Sequence, residues 1–428
     1  MTGSPAQPPA GGSALRESIP GGKPLVLRAA RVLAPSGDSW GPPTDVLVQG
    51  GRIRQLGGEM PAECERIDLG DRSLLPGLID THTHVLLQGN RSSEEYARQI
   101  LQEDPAHRVV RAVRSMRIAI QHGFTTIRDL GTEGAGFADV SLRDASAAGI
   151  VTGPRMLVAG PAVCSTGSYP ILGYRSDWEF PTGVAQCDGV DGCRREVRRQ
   201  VARGIDWLKV YVSGGRGRHL TEDGYADSPP VWTEEELRAL VDQAHDQGIP
   251  VAAHAMSATG TDMAVAAGVD SIEHGTSIRP STAEKMADRG IALVPTLLAF
   301  RELAERTNPA SQPGASRQES QILSWENCRR AGVRVVFGTD AGAFDWVTTN
   351  QVLELGLLAE LGMTSGEALR AATVDAAALL QQAHHLGEIT PGAVADLIAC
   401  PGDPLLDLSL LSGVDLVVKE GQPLTVPA

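Results

Sequence analysis

The sequence predicts an α/β protein built on a (β/α)8 TIM barrel, with a small β-sandwich domain formed from both chain termini. Between residues 76 and 385, short apolar segments alternate with helical patterns. This alternation is typical of parallel barrel strands, each followed by a helix on the outside. Polar residues, several of them histidines, stand where the apolar segments end. The active sites of such barrels lie at the carboxyl ends of their strands.

The two ends of the chain differ from this pattern. Residues 1–22 are rich in Pro, Gly, Ser and Ala and contain no apolar run, so we expect a disordered tail rather than a signal peptide. Residues 23–75 and 386–428 both contain short strand patterns separated by turns. Neither segment is long enough for a stable sheet alone. We therefore expect them to pair into one composite β-domain, which leaves residues 76–385 for the barrel.

Eight segments are predicted as barrel strands because they are apolar, short and bounded by turn residues. In chain order they are LLPGLIDTHTH, GFTTIRDLG, PRMLVAG, DWLKVYVSGG, IPVAAHAMS, DSIEHGTS, IALVPTLLA and VRVVFGTDAG.

The best-defined helix is TEEELRALVDQAHDQG, where Thr233 and Glu236 have capping-box spacing and Gly248 ends the pattern. Helices near 348–361 and 364–382 complete the barrel. Two loops are longer than the others. Loop 161–192 carries four aromatic residues and is expected to shape a pocket, and loop 306–319 is either a flap over the site or a solvated insertion.

Composition narrows the classes of function. The chain has 428 residues, 42% apolar and 21% charged, and contains no apolar run long enough for a membrane span. A formal net charge of −14 argues against a nucleic-acid partner. The six cysteines show no CxxC spacing, which favours the cytoplasm, although a bridge or small metal site between Cys187 and Cys193 stays open. We expect a cytoplasmic homo-oligomer that acts on a small molecule.

Two histidines mark the end of the first predicted strand. In GLIDTHTHV, His82 and His84 are two residues apart and share one face of a strand. Roughly 0.2 such pairs are expected by chance in a chain of this composition, so the pair needs support from elsewhere. The ends of later strands supply it, because they add Lys209, His254, His274 and Asp340 at the same rim. Imidazole and carboxylate suit Zn²⁺ and related ions.

Lys209 is the unusual member of this set, since the chain contains only four lysines. In DWLKVYV, alternation places Trp207, Lys209 and Tyr211 inside the barrel. A buried ammonium next to metal ions is unfavourable, but a neutral amine can combine with CO₂ to form a carbamate whose two oxygens bridge two metals. Arginine keeps its charge and cannot do this. The alternative is a structural lysine that reaches the rim or pairs with Asp340.

These segments resemble the binuclear metal-dependent amidohydrolase superfamily. The likeness rests on PGLIDTHTH, GFTTIRDLG, WLKVYVSGG, VAAHA, SIEHG and FGTDAG, and it extends from about residue 24 to the end, including GEITPGAVADLIA. The chain most resembles the branch of Xaa-Pro dipeptidases (prolidases) and related carboxypeptidases, which is related to imidazolonepropionase. CSTGSYPILGY departs from the glycine- and histidine-rich stretch that many relatives carry after strand 3. This departure concerns substrate choice rather than metal binding.

The resemblance implies two divalent metal ions, zinc first and manganese, cobalt or iron as alternatives. It implies one metal held by His82, His84 and Asp340, a second held by His254 and His274, and a carbamate on Lys209 between them.

The implied reaction is hydrolysis of an amide bond in a dipeptide, an Xaa-Pro substrate or an N-acyl amino acid, by a hydroxide that bridges the metals. The resemblance implies Asp340 and Lys209 as the catalytic residues, with Asp340 expected to pass a proton from water to the leaving amine. The candidates to bind the substrate carboxylate are Tyr211, Arg216, Arg218 and His219.

Other functions stay open. A mononuclear cyclic-amidine or imidazolone hydrolase, or a deaminase, would not need Lys209. A binuclear lactonase or phosphotriesterase would use the same centre, whereas a metal-free binding protein is disfavoured because every ligand position is filled. Arg128 and Asp129 are expected either to form an ion pair at the rim of the site or to form ion pairs with a purely structural role. Asp80 shares the face of the two histidines of the first strand, and support of their rings is one role open to it, whereas Glu273 is expected to face the helices.

Overall fold

The computed structural model describes residues 23–89, 92–171, 174–175, 177–214, 219–306 and 314–424. The predicted tail, residues 1–22, lies outside these ranges. Within them, none of the helices combines the length and the apolarity that a membrane span requires. The strands before the barrel are β1 Leu25–Ala29, β2 Arg31–Leu33, β3 Trp40–Gly41, β4 Thr44–Gln49, β5 Arg52–Leu56, β6 Glu65–Asp68 and β7 Ser73–Pro76.

The middle of the chain contains the barrel strands and four shorter ones between them. They are β8 Leu78–Thr83, β9 Phe124–Asp129, β10 Arg155–Val158, β11 Val163–Cys164, β12 Ala185–Gln186, β13 Leu208–Tyr211, β14 His219–Leu220, β15 Ala226–Asp227, β16 Val251–Ala255, β17 Ser271–His274 and β18 Ala292–Val294.

Parallel pairing joins these strands into a closed ring. One set is β8, β9 and β10, and the other is β13, β16, β17 and β18. The backbone N–H of Asp206 donates to the carbonyl of Val158 and so links β10 to β13. An eighth segment, residues 334–341, accepts from and donates to Leu293 of β18, and Asp340 N–H donates to the carbonyl of His82 in β8. The predicted (β/α)8 barrel is confirmed.

The helices of the described chain surround this ring. They are α1 Ser93–Leu101, α2 Pro105–Gln121, α3 Ala138–Ala147, α4 Gly189–Val201, α5 Glu234–Asp246, α6 Ala258–Ala267, α7 Pro280–Arg289, α8 Leu297–Arg306, α9 Gly314–Ala331, α10 Leu353–Glu360, α11 Ser365–Ala371 and α12 Val374–Leu379. The predicted capping box of Thr233 and Glu236 begins α5. The predicted loop 306–319 is wrong for residues 314–319, which belong to α9, while residues 307–313 lie outside the described ranges.

Three strands close the chain, namely β19 Leu397–Cys400, β20 Leu416–Lys419 and β21 Gln422–Leu424, with a 3-10 helix at Leu408–Gly413. β19 pairs antiparallel with β7 and with β20, so both termini share one sheet of order β21-β20-β19-β7-β2-β3. A second sheet, β5-β4-β1-β6, packs against it through a common apolar core. This is the β-sandwich predicted from the two ends of the sequence, and the domain limits at residues 75 and 386 stay a prediction.

The strand β13 shows how alternation positions the site. Trp207 packs inside the barrel with Ile79 and Val336. Leu208 and Val210 belong to a different cluster, which faces the surrounding helices. Lys209 is 1% exposed, and its side chain lies on the barrel interior. The side chain of Lys209 therefore points into the barrel, as the alternation of the sequence predicts.

Candidate metal centre

A cavity of about 250 Å³ opens at the carboxyl ends of the barrel strands. The six residues predicted as metal ligands all line it, namely His82, His84, Lys209, His254, His274 and Asp340. Because these side chains come from five different strand ends, the closed ring of the barrel is what brings them together.

His82 and His84 each have one ring nitrogen fixed by a neighbour. The Nδ1–H of His82 donates to Oε2 of Glu273 at 2.7 Å. The Nδ1–H of His84 donates to the carbonyl oxygen of Gly131 at 2.9 Å. A partner on Nδ1 fixes the orientation and the tautomer of an imidazole and leaves Nε2 to bind a metal. The two rings are thus held as metal ligands usually are.

His274 is held in the same way but on an unusual backbone. Its Nδ1 is hydrogen-bonded to Oγ1 of Thr296 at 2.7 Å. His274 and Thr296 have φ of 69° and 49°, and Asp340 across the cavity has φ of 62°. Left-handed geometry is uncommon for residues other than glycine and costs roughly 1–3 kcal/mol each. Two left-handed residues, His274 and Asp340, therefore line the cavity, and a third, Thr296, holds the ring of His274.

The carboxylate of Asp340 lies between the first two histidines. Its Oδ1 is 3.2 Å from Nε2 of His84 and 3.6 Å from Nε2 of His82. Ligand atoms of His82, His274 and Asp340 all lie within 4.8 Å of one another. This spacing lets one divalent ion contact nitrogen and oxygen ligands together.

Burial and neighbouring charges set the protonation of these ligands. Burial, followed by the charges of nearby basic groups, lowers the pKa of His82 and of His274 well below the ordinary value, so both imidazoles are neutral. Burial would also lower the pKa of His84, but the hydrogen bond and charge of Asp340 outweigh it and raise the pKa to about 9. The carboxylate thus favours a positive charge at the position of His84.

The amine of Lys209 is buried without a hydrogen bond. Among the described residues, its Nζ has no hydrogen-bond partner, and the same is true of Nε2 of His82. Burial lowers the pKa of Lys209 to about 8, although Glu273 and Asp340 oppose the shift. A buried polar atom without a partner is costly and rare in native proteins. The two nitrogens face the cavity that Asp340 also lines.

Taken with the neutral imidazoles and the central carboxylate, these unpartnered nitrogens fit a metal centre. Divalent transition metals bind neutral imidazole and ionised carboxylate. The residues present can therefore hold the metal ions that the resemblance implies.

Glu273 does not face the helices, and that prediction is wrong. Its Oε1 accepts from Nη2 of Arg128 at 2.8 Å, and both side chains are fully buried. Arg128 therefore pairs with Glu273 rather than with Asp129 at the rim. The guanidinium of Arg128 also lies 4.2 Å from the ring centroid of Trp207, inside the barrel. Because His274 leaves the extended conformation, it escapes the alternation, and two successive side chains reach the interior.

Asp80 and Asp129, the other two carboxylates of the first strands, accept hydrogen bonds from backbone and from uncharged side chains rather than from imidazole rings. Asp80 accepts from Oγ1 of Thr339 and Nε2 of Gln351, each at 2.6 Å, and from the backbone N–H of His82. Burial raises its pKa to about 6. Asp129 accepts from the backbone N–H of Val85 at 2.7 Å. Both tie the first barrel strand to its neighbours, and thereby hold the histidine pair in place.

Of the four residues predicted to bind the substrate, one lines the cavity, one does not, and two lie outside the described residues. Tyr211 lines the cavity, and its hydroxyl donates to Oε1 of Glu133 at 3.1 Å. His219 is exposed on β14 and does not line the cavity. Arg216 and Arg218 lie outside the described residues. Glu133 itself was missed by the sequence reasoning, although its place between glycines at the end of the second strand was a usable signal.

The pattern of the amidohydrolase family matches residues 73–424. The chain belongs to the amidohydrolase family. It is 29% identical to ochratoxinase of Aspergillus niger over 366 residues, which cover 79% of this chain and 72% of that protein. It is 25% identical to imidazolonepropionase of Streptomyces avermitilis over 395 residues, which cover 87% of this chain and 84% of that protein.

Among solved structures, the protein is similar to a Xaa-Pro dipeptidase with methionine bound in its active site. The TM-score is 0.82 at 30% sequence identity, over 94% of this chain and 100% of that chain. The family membership predicted from the motifs is confirmed, and with it the expectation that the protein is an enzyme. Metal binding is general in this family, and the His–His–Asp cluster provides a place for it.

Proposed function

We propose that this protein is a binuclear metallohydrolase that cleaves the amide bond of a small carboxylate-bearing substrate, namely a dipeptide, an Xaa-Pro substrate or an N-acyl amino acid. The observation that carries the proposal is the buried, unpartnered amine of Lys209 beside the histidines and Asp340. The similarity to a Xaa-Pro dipeptidase over nearly the whole chain supports the substrate class. The ochratoxinase relative supports the broader class of hydrolase.

The proposed ligand sets are those that the family resemblance implies. His82, His84 and Asp340 would hold one divalent ion, and His254 and His274 would hold the second. Lys209 would serve both as a carbamate, formed when the neutral amine bonds to CO₂ and releases one proton. When bound, the two ions supply an activated water near neutral pH and polarise the substrate carbonyl. Zinc suits these ligands first, and manganese, cobalt or iron are the alternatives.

The protein's own groups then handle protons and orientation. Asp340 accepts a proton from the attacking water and delivers it to the nitrogen of the leaving amine, general acid–base work typically worth about 10²–10⁴ in rate. Glu273 and Thr296 keep the rings of His82 and His274 in position through their Nδ1 atoms. The cavity that contains these groups also holds Tyr96, Tyr169 and Tyr211 in its wall, which would contact a substrate bound beside the metal centre.

The deciding experiment compares Lys209→Ala with the wild-type enzyme. We expect two metal ions per wild-type chain, at most one in the variant, and a loss of amide hydrolysis of at least about 100-fold. Labelling with ¹³C-bicarbonate should give a carbamate signal by NMR in the wild type and none in the variant. Lys285→Ala, which removes an exposed lysine on α7, is the matched control and should change neither.

Two results would contradict the proposal. Full activity of Lys209→Ala with one metal per chain would favour the mononuclear alternative. Failure of the metal-loaded enzyme on every dipeptide and N-acyl amino acid of a broad screen, with turnover of a lactone or a phosphotriester, would overturn the substrate class. The first result concerns the metal centre and the second concerns the substrate, so the two failures are distinguishable.

A further inference from the structure

A second polar cluster lies in the wall of the cavity beside the metal centre. It consists of Glu133, in the loop after β9, and three tyrosines, Tyr96, Tyr169 and Tyr211. We propose that this cluster is a subsite for a positively charged nitrogen of the substrate, an ammonium or a guanidinium. The inference rests on the proposed function for the reacting bond and extends it to the charge of the substrate.

The hydrogen bonds of Glu133 suit an ionised carboxylate. Tyr211 donates to Oε1 at 3.1 Å, and Tyr96 donates to Oε2. Both carboxylate oxygens therefore act as acceptors, which is the role of the charged form. Among the described residues, no Lys or Arg pairs with this carboxylate, since Arg108 donates instead to the backbone carbonyls of Thr132 and Glu133. With 2% exposure, the carboxylate is buried, and the charges of Arg108, Lys209 and His84 act on it through space, without a direct ion pair among the described residues.

The cluster is held rigidly. Glu133 has a left-handed backbone, with φ of 48°, and its backbone carbonyl accepts a hydrogen bond from Nη1 of Arg108 at 2.7 Å. The strand-3 loop passes so close that a Cβ on Gly183 would lie 2.8 Å from Oε2 of Glu133 and 2.5 Å from the Tyr96 hydroxyl. Strain of this kind is maintained where surrounding structure fixes it, often at ligand sites. The carboxylate is thus positioned before any ligand arrives.

The position of Glu133 lets one small substrate span both the cluster and the metal centre. A Cβ on Gly131 would lie 3.7 Å from Oε1 of Glu133 and 3.5 Å from Cε1 of His84. The carboxylate and the ligand imidazole therefore flank the same point. The ring centroid of Tyr211 is 4.4 Å from that of His254, a ligand of the proposed second ion. A group bound at Glu133 would consequently lie within a residue's length of the reacting carbonyl.

Charge and aromatic character of the wall favour a cation. Among the described residues that line the cavity there is no arginine, whereas Glu133 is acidic and three tyrosines are adjacent. Tyr169 lies 5.0 Å from Tyr211 between ring centroids and 6.1 Å from Tyr96. Aromatic rings attract cations that approach them, and the effect is larger where water is excluded. The net charge of −14 also raises the concentration of cationic substrates near the protein.

The alternative is that Glu133 only ties α1 to β13 through its two tyrosine bonds. A structural role would make its replacement harmful to all substrates alike, whereas a cation subsite makes the damage depend on substrate charge. The kinetic test therefore uses matched substrate pairs with the metal-loaded full-length enzyme. Ala-Pro against N-acetyl-Ala-Pro tests the terminal amine, and N-acetyl-Lys-Pro against N-acetyl-norleucyl-Pro tests a basic side chain.

We expect the wild type to prefer the charged member of at least one pair. Glu133→Gln should lower kcat/KM for that member by about 10- to 100-fold, as expected for the loss of a hydrogen bond to a charged group, and should leave the neutral member nearly unchanged. Glu133→Asp keeps the charge and should keep part of the preference. Glu235→Gln removes the same charge from the exposed first turn of α5 and should have no effect. Equal losses on both members, or no preference in the wild type, would overturn the subsite.

A binding measurement keeps the inference testable even if the enzyme hydrolyses none of these amides. Butylamine, protonated at neutral pH, and 1-butanol have nearly the same shape and no bond to cleave. Calorimetric titration into the metal-loaded wild type, Glu133→Gln and Glu235→Gln should show weaker butylammonium binding only in Glu133→Gln, with 1-butanol alike in all three. Equal butylammonium affinity in all three proteins would refute the subsite, whatever the outcome of the amide screen.

Discussion

Replacing Glu273 with glutamine should damage stability and metal binding for two separate reasons. One carboxylate oxygen receives the Nδ1–H of His82 at 2.7 Å, and the other receives Nη2 of Arg128 at 2.8 Å. Both members of the ion pair are fully buried. Glutamine keeps one acceptor but removes the charge. Arg128 is then left as a buried cation without its counter-ion, and His82 loses a strong acceptor on its ring.

The size of each effect follows from these contacts. Leaving one partner of a buried ion pair unpaired typically costs about 3–5 kcal/mol of stability. Loss of the acceptor behind a ligand imidazole typically weakens metal binding by about 10- to 100-fold. Thr296→Val is the matched control at His274, because it removes an uncharged hydrogen bond of the same length. Thr296→Val should lower the free energy of unfolding by about 1 kcal/mol. It should weaken metal binding by about as much as Glu273→Gln does.

Urea unfolding of the metal-free protein and chelator competition measure the two effects independently. The double variant Arg128→Met, Glu273→Gln removes both buried charges, so it should recover most of the lost stability. It should not recover metal affinity, because His82 still lacks its carboxylate. Equal stability losses in Glu273→Gln and Thr296→Val, or recovery of metal affinity in the double variant, would refute the separation of the two roles.

Two further predictions concern a buried carboxylate, Glu354, and a buried glycine, Gly342. Glu354 accepts the backbone N–H groups of Leu297 and Leu298 at the start of α8, and burial raises its pKa to about 8 from an ordinary 4.5. The folded state then keeps a proton that the unfolded state releases, so stability should fall by roughly 1 kcal/mol per pH unit between these values. Urea unfolding between pH 5.5 and 7.5 should show this decline in the wild type and a shallower one in Glu354→Gln, and parallel curves would contradict it. At Gly342, φ is 111° and an added Cβ would lie 2.3 Å from the carbonyl oxygen of His84. Gly342→Ala should therefore lower the free energy of unfolding by at least about 2 kcal/mol and weaken metal binding. Gly356→Ala, where an added Cβ meets open space on α10, should raise the free energy of unfolding by about 0.5–1 kcal/mol. Equal Tm shifts in the two variants would contradict this prediction.

The location of the site could be predicted because it depends on local pattern. Period-2 alternation assigns the inward face of a strand from a few residues, as it did for Lys209. The barrel then brings the strand ends together whatever the loops contain. The six candidate ligands therefore line one cavity, as expected from sequence. The β-sandwich followed for a similar reason, since the short strands at each end needed partners.

The partners of these ligands could not be predicted, because they come from segments that are distant in sequence and carry no shared pattern. Glu273 reaches His82 across 191 positions of chain, and the carbonyl of Gly131 reaches His84 across 47. Every residue has a backbone carbonyl, so the sequence does not indicate which carbonyl will accept a hydrogen bond from a ligand. Glu133 is not a partner of a proposed ligand, but it lies in a glycine-rich loop at a strand end, and that position is a signal that sequence reasoning could have used.

Alternation fails at the strand ends for a physical reason. Seven non-glycine residues in the described chain have positive φ, and three of them, Glu133, His274 and Asp340, line the cavity, while Thr296 binds a ligand ring. An extended chain can aim only every second side chain inward, so placing Glu273 and His274 on the same side requires a residue outside the β region. Each such residue costs roughly 1–3 kcal/mol, which the buried hydrogen bonds around it must offset. Sequence periodicity therefore locates the ligand positions, but it does not predict the side-chain directions at the strand ends. Those directions depend on contacts that form only in the folded barrel.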